Sequence, residues 1–131
     1  MNNKSLYLQT FNKHFLEFID DVESIFSDNK DILAAKEALI YLKKSNPTIL
    51  VQVWYEYVCK KYETQINNND YDFFINKNYD EDLKGSPQIK KILEGIDRVR
   101  GLLKDLDDKN KEKTFEYVKN LCTLSNYYNN N

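Results

Sequence analysis

Large apolar residues recur at alternating steps of three and four in two stretches of this chain, one near each end. The first series comprises Leu8, Phe11, Phe15, Phe18, Val22 and Ile25, and the second comprises Ile89, Ile92, Ile96, Val99, Leu103 and Leu106. This spacing places each series along one side of an α-helix. Because an apolar stripe must be buried against another element, the two series predict helix-on-helix packing around a shared core.

The composition also favours helices. With three Gly and two Pro among 131 residues, the chain has few of the residues that build tight hairpins or phosphate-binding loops. A domain of this length buries roughly two thirds of the surface that its unfolded chain exposes. We therefore predict a single all-α domain, a compact bundle of five to six helices.

Capping signals and breaks divide the chain into six predicted helices. Asp28 or Asn29 can cap the second helix, and the pairs Asn46-Pro47 and Ser86-Pro87 join a preferred N-cap residue to a Pro suited to the first turn. The predicted helices span residues 5–26, 31–44, 47–66, 70–77, 87–106 and 109–127, followed by a frayed tail at 129–131.

Few side chains offer catalytic or redox chemistry. The single histidine, His14, lies beside Phe15 on the first stripe, without a paired nucleophile. Cys59 and Cys122 belong to no CxxC motif, and we interpret them as isolated, buried thiols in a reducing, intracellular compartment.

No apolar run approaches the ~20 residues that cross a bilayer, and the N-terminus has no signal-peptide pattern. We expect a soluble protein that does not bind membranes.

One acidic segment begins like a calcium-binding loop. Asn68, Asp70 and Asp72 have the spacing of the first EF-hand ligands. The loop also needs Gly at its sixth position and an acid at its twelfth, where this chain has Phe73 and Tyr79. The sequence therefore predicts no metal site. Because it also lacks a recognisable catalytic pair, it predicts no cofactor and no enzymatic activity.

The two arginines are the polar residues that the sequence singles out. Lys is far commoner than Arg in this chain, and only Arg offers a planar group that grips carboxylates through two hydrogen bonds. Arg98 and Arg100 either clamp the acidic segment 70–82 onto the domain or recognise a partner or a phosphate. They lie about 200° apart around a helix, which indicates separate roles.

Aromatic residues exceed what a core of this size requires, and Tyr and Trp are enriched at protein interfaces. The candidate interaction residues are Tyr71, Phe74, Tyr79, Tyr127 and Tyr128, together with Arg98 and Arg100. We predict a non-enzymatic protein–protein interaction or structural module. The alternative is a nucleic-acid-associated accessory factor that uses the last two helices, where Lys111, Lys113 and Lys119 lie near tyrosines.

Three stretches of the chain carry a resemblance: Lys44-Ser45-Asn46-Pro47, the segment 71–79 and the segment 121–125. In this order, and in a chain of this length rich in Asn and Lys, they resemble a small helical protein type encoded by nucleocytoplasmic large DNA viruses. The resemblance implies a eukaryotic host cytoplasm, viral factory or virion as the location, and it implies no reaction. The expected partner is a viral or host protein, or a second copy of the chain.

Overall fold

A computed structural model describes residues 3–68, 70–76 and 87–130, and within these ranges the chain is helical and has no β-strand. The elements are α1 (Lys4–Ile25), α2 (Lys30–Ser45), α3 (Ile49–Trp54), a π-helical turn (Tyr55–Cys59), α4 (Glu63–Asn67), α5 (Tyr71–Asn76), α6 (Pro87–Leu103) and α7 (Asp108–Asn129). The predicted all-α class is confirmed for this part of the chain.

The first apolar stripe is buried along most of α1. Phe11 is fully buried, and Phe15, Phe18 and Val22 lie in the same core cluster. Ile25 is 39% exposed, so the buried stripe ends one turn before the helix does. The second stripe contributes Ile92 and Leu103 from α6, as well as Leu106 from the turn after it, to this core. The side chains of Ile89, Ile96 and Val99 lie outside the described residues.

The helix predicted for residues 47–66 is divided in the structure. It begins at Ile49 rather than at Pro47, because residues 47 and 48 form a turn. At its centre the backbone N–H of Lys60 donates to the carbonyl of Tyr55 at 2.9 Å, the bond of a π-helical turn. After a further turn, α4 starts at Glu63. This local winding buries Val58 and Cys59 side by side in the core.

Two side-chain caps set the starts of long helices. The Asn29 side-chain oxygen accepts from the backbone N–H groups of Asp31 and Ile32 at 2.9 and 3.3 Å, which confirms Asn29 as the cap of α2. The Asp107 carboxylate accepts from the Asn110 N–H at 2.9 Å and caps α7. These bonds satisfy N–H groups that have no partner within the helix. Helix α7 then continues to Asn129, past the predicted end at residue 127.

The long helices pack in a defined order. Helix α1 lies along α7 and also packs against α2, while α2 contacts α6 as well. Lys36 on α2 strengthens the α1–α2 pair, since its ammonium lies 2.9 Å from Asp20 and 3.5 Å from Glu23. Helix α3 and the π-helical turn pack against α7. This order leaves α2 covered by α1 and α6 only along part of its surface.

The two cysteines form a disulfide, which corrects the expectation of isolated thiols. Both residues are buried, as expected, but Cys59 in the π-helical turn is bonded to Cys122 on α7. The Ser125 hydroxyl lies 3.4 Å from the Cys59 sulfur and also donates to the Cys122 carbonyl. Because disulfides persist in oxidising surroundings, this bond fits an oxidising environment better than the predicted reducing one.

Candidate functional site

Helices α1, α2, α3 and α6 leave an open cavity of about 490 Å³ between them, which we call the α2–α6 groove. Its lining residues are Phe15, Phe18, Ile19, Ala35, Ala38, Leu39, Tyr41, Leu42, Leu50, Trp54, Pro87, Lys91, Ile92, Gly95, Arg100 and Leu103. Most of these side chains are apolar. The volume lies within the range of roughly 300–1,000 Å³ that is typical of ligand pockets.

Small residues keep the groove open. Ala35 and Ala38 contribute short side chains from α2, and Gly95 contributes none from α6. A Cβ atom added at Gly95 would meet no heavy atom within 4 Å outside its own helix. Larger residues at these positions would fill the space between the two helices, so the groove is a direct consequence of this local sequence.

Aromatic side chains form the inner wall of the groove. The rings of Phe15 and Trp54 meet edge to face, with centroids 5.2 Å apart and planes at 90°. Phe18 lies next to Phe15, at a centroid distance of 6.1 Å. Trp54 is only 2% exposed. Edge-to-face contacts of this kind are a preferred arrangement of aromatic rings and add to the stabilisation from burial.

The polar groups that line the groove include three nitrogen donors. Arg100 is 7% exposed, and its guanidinium forms an ion pair with Asp97 on the same helix. Lys91 is solvent-exposed. The indole N–H of Trp54 is buried, and no acceptor for it is present in the part of the chain that the structure describes. The charged groups at the groove are therefore the exposed ammonium of Lys91 and an Arg100 guanidinium that is already paired with Asp97.

The structure separates the two arginines that the sequence singled out. Arg100 lines the groove, whereas Arg98 is exposed and is not among the lining residues. Arg100 forms an ion pair with Asp97, a residue of its own helix. Residues 77–86 lie outside the described part of the chain, and the clamp onto that segment stays a prediction.

The side chain of Tyr71 contacts other helices through both its hydroxyl and its ring. Its hydroxyl donates to the Leu103 carbonyl at 2.8 Å, and its ring lies beside Phe115, at a centroid distance of 6.1 Å. Burial, together with the carboxylate of Asp72, raises the pKa of Tyr71 to about 12. Tyr71 thus links α5 to the end of α6. Two other candidate interaction residues are not described here: Tyr79 and the side chain of Phe74 lie outside the described residues.

Tyr127 and Tyr128 lie where the start of α1 meets the end of α7. Tyr128 is buried, and the ammonium of Lys4 lies 4.8 Å from its ring centre. Tyr127 is 51% exposed and stacks on Tyr7, with ring centroids 5.3 Å apart. Neither Tyr127 nor Tyr128 lines the groove, so the predicted interaction residues that the structure describes are not all part of one site.

Sequence reasoning missed the groove. On α2, the small residues Ala35 and Ala38 line open space. Gly95 lies within the second apolar series, on the helix that faces α2. Small residues on both facing helices were the pattern that could have predicted a gap between them.

No protein-family model, curated protein or solved structure matches this chain. Across the described residues, no helix combines the length and the apolar character that crossing a membrane requires. The same part of the chain holds no group of three or more His, Cys, Asp or Glu side chains placed to bind a metal ion.

Proposed function

We propose that this chain is a non-catalytic protein–protein interaction module, and that its α2–α6 groove binds the apolar face of an amphipathic helix from a partner protein. The observation that carries the proposal is the groove itself, an open and mostly apolar cavity of about 490 Å³ between four helices. Helix-in-groove binding is a recurrent mode of peptide recognition, in which residues at i, i+3, i+4 and i+7 enter such a groove.

The length of the groove favours a helix as its occupant. Along α6, the lining residues extend from Pro87 to Leu103, which corresponds to about 24 Å at 1.5 Å per residue. A partner helix of about 16 residues has the same length. Apolar surface also continues beyond the groove on α2, where Ile40 is 40% exposed. An occupant that covers this neighbouring surface must be larger than a small molecule.

The residue types in the groove support a binding role over a catalytic one. Among the described residues that line it, Lys91 and Arg100 carry the charge, and there is no carboxylate, histidine, serine, threonine or cysteine. General acid–base catalysis requires a paired acid and base, and covalent catalysis requires an activated nucleophile. Among these lining residues there is no serine, threonine or cysteine nucleophile and no histidine or carboxylate base to activate one.

The alternative function, nucleic-acid binding through the last two helices, has less support from the contacts on α7. Lys113 lies 3.0 Å from Asp21, and this hydrogen bond raises the pKa of Lys113. Lys111 lies over the Tyr71 ring at 5.7 Å, and Lys119 lies over the Phe115 ring at 5.9 Å. Each of these lysines already interacts with another side chain of the protein. Binding to a phosphate would therefore compete with that interaction.

The sequence resemblance suggests where the partner is found. If the chain is encoded by a large DNA virus, the helix comes from a viral or host protein in the infected cell or in the virion. The disulfide between Cys59 and Cys122 adds that this encounter takes place in surroundings where the bond persists.

Peptide binding to matched glycine variants tests the proposal. The probe is a synthetic amphipathic helix of about 16 residues with Leu at i, i+3, i+4 and i+7 and Gln elsewhere. Trp54 is the only tryptophan and lines the groove, so its fluorescence reports binding. Gly95→Leu fills the groove and should weaken binding about tenfold or more. Gly101→Leu is the control, because Gly101 is exposed on the same helix and does not line the groove.

Equal peptide affinities of the two glycine variants would contradict the proposal, as would equal binding of a scrambled peptide without the apolar stripe. A dimer in sedimentation experiments that Gly95→Leu disrupts and Gly101→Leu retains would identify a second copy as the occupant, in place of a partner protein.

A further inference from the structure

We infer that the disulfide between Cys59 and Cys122 regulates the α2–α6 groove, which binds its partner helix tightly when the bond is formed and weakly when both thiols are reduced. The inference rests on the proposed function and adds a control over it. It is drawn from two features of the bond: one end lies in a π-helical turn next to the groove, and a buried hydroxyl lies beside the sulfurs.

The disulfide is connected to the groove through the π-helical turn. This turn, Tyr55–Cys59, begins directly after Trp54, and Trp54 lines the groove. The ring of Trp54 meets the ring of Phe15 on α1, with centroids 5.2 Å apart. At its other end the turn is bonded to α7. A displacement of Cys59 therefore reaches the groove wall through one continuous helical segment.

Reduction forces the two cysteines apart. A dithiol reductant supplies two electrons and two protons: the S–S bond breaks, each cysteine sulfur becomes a thiol, and the two thiols of the reductant form a disulfide. Thiol sulfurs that are not bonded cannot lie as close together as bonded ones. Cys59 and Cys122 are both buried in the core, and protein cores are close-packed. At least one of the two residues must therefore move.

The π-helical turn is the side that yields. Cys122 lies within α7, a helix of 22 residues that packs along α1. Cys59 ends a turn of five residues, and π-helical winding is rare and occurs mostly as single turns at functional sites. A change from i→i+5 to i→i+4 hydrogen bonds rotates the residues before the turn relative to those after it. Such a change moves Trp54 and with it the groove wall.

A buried hydroxyl accommodates the reduced state within the fold. Ser125 is fully buried, donates to the Cys122 carbonyl at 2.9 Å and lies 3.4 Å from the Cys59 sulfur. A hydroxyl that donates its one hydrogen can still accept another hydrogen bond. The thiol that reduction creates at Cys59 therefore has an acceptor beside it. This favours a reduced state that remains folded over one that unfolds.

Peptide binding in the two redox states tests the inference. The probe is the peptide of about 16 residues with Leu at i, i+3, i+4 and i+7, labelled for fluorescence anisotropy, and the reductant is dithiothreitol. We expect reduction of the wild type to weaken binding about tenfold, while circular dichroism shows that its helices are retained. The Cys59→Ala/Cys122→Ala variant should bind weakly with and without reductant.

The reduction potential of the disulfide provides an independent measurement. If the oxidised protein binds the peptide tenfold more tightly, saturating peptide must make the bond harder to reduce by about 30 mV, because the coupling is reciprocal. The potential is measured from the thiol-to-disulfide ratio in dithiothreitol buffers. Gly95→Leu fills the groove and should abolish this shift. Gly101→Leu, at an exposed position of α6 outside the groove, should retain it.

A pair of hydroxyl variants tests the part played by Ser125. Ser125→Ala removes the acceptor for the Cys59 thiol and should make the bond harder to reduce than in the wild type. Thr123→Ala is the control, because the Thr123 hydroxyl also donates to a backbone carbonyl of α7 but is exposed. Equal potentials of the two variants would contradict this role of Ser125.

The outcomes separate the inference from the proposed function. Equal peptide affinities of the oxidised and reduced wild type would overturn the redox control and leave the groove as a helix-binding site. Loss of the helical circular dichroism on reduction would also overturn it, because the groove would then be lost with the whole fold. Failure of the peptide to bind the oxidised wild type would overturn the proposed function itself.

Discussion

The disulfide between Cys59 and Cys122 joins the π-helical turn to α7, with Cα atoms 5.4 Å apart and a sequence separation of 63 residues. It closes a loop that contains α4, α5 and α6. Since α6 forms one side of the α2–α6 groove, this covalent link restrains the part of the chain on which the candidate site depends.

Removing the disulfide should destabilise the protein strongly. For a sequence separation of 63, the chain-entropy relation gives a loss of about 4 kcal/mol in the free energy of unfolding. We expect this loss in the Cys59→Ala/Cys122→Ala variant, measured by urea unfolding without reductant. Reductant should lower the stability of the wild type and leave the double variant unchanged. Two free thiols titrated in wild-type protein that was purified without reductant would contradict the bond.

Replacing Tyr71 by Phe should cost about 0.5–1.5 kcal/mol at neutral pH, because the hydrogen bond to the Leu103 carbonyl is lost. Burial first, and then the Asp72 carboxylate, raises the pKa of Tyr71 in the folded state from 10.0 to about 12. The folded protein therefore holds the phenolic proton more tightly than the unfolded chain does. The contribution of this proton to stability is fully present below pH 10 and is lost as the pH rises through about 12.

Urea unfolding of the wild type and of Tyr71→Phe at about pH 9 and about pH 11 checks this dependence. The wild type should lose more stability than the variant over this interval, so that the difference between them becomes smaller. A difference that stays constant or grows with pH would show that Tyr71 titrates alike in the folded and unfolded states.

Alanine at either helical glycine should stabilise the protein. Gly95 and Gly101 both lie within α6, and an added Cβ meets no heavy atom within 4 Å outside the helix at either position. Ala is favoured over Gly inside a helix by about 1 kcal/mol. We expect Gly95→Ala and Gly101→Ala each to raise the free energy of unfolding by up to about this amount. Destabilisation at Gly95 alone would show that the groove is closed at this point.

Asn12 is a buried polar residue, and its removal should be costly. It is 5% exposed, and its amide donates to the Pro47 carbonyl at 3.1 Å, which connects α1 to the turn before α3. Asn12→Ala should lower the free energy of unfolding by about 1–3 kcal/mol, because it removes this bond and leaves the carbonyl without it. Asn126→Ala, at an exposed position on α7, is the matched control and should change stability by less than about 0.5 kcal/mol. Equal effects of the two changes would contradict a structural role for Asn12.

Expectations that depended on neighbours in the sequence agree best with the structure. The stripe on α1 is buried from Phe11 to Val22, and Asn29 caps α2 as its position before the apolar series indicates. Predicted helix ends agree less well, since residues 47 and 48 form a turn and α7 continues to Asn129. Helix ends depend on contacts with the rest of the fold as well as on local residue preferences.

The sequence by itself determined the all-α class and which side of α1 is buried, because helical periodicity and capping act between residues a few positions apart. Tertiary structure alone decided the π-helical turn, the pairing of Cys59 with Cys122 and the α2–α6 groove. Each of these depends on which distant side chains meet when the helices pack. The groove exists because Ala35, Ala38 and Gly95 are brought to the same gap, and no pattern within one helix records the spacing between two.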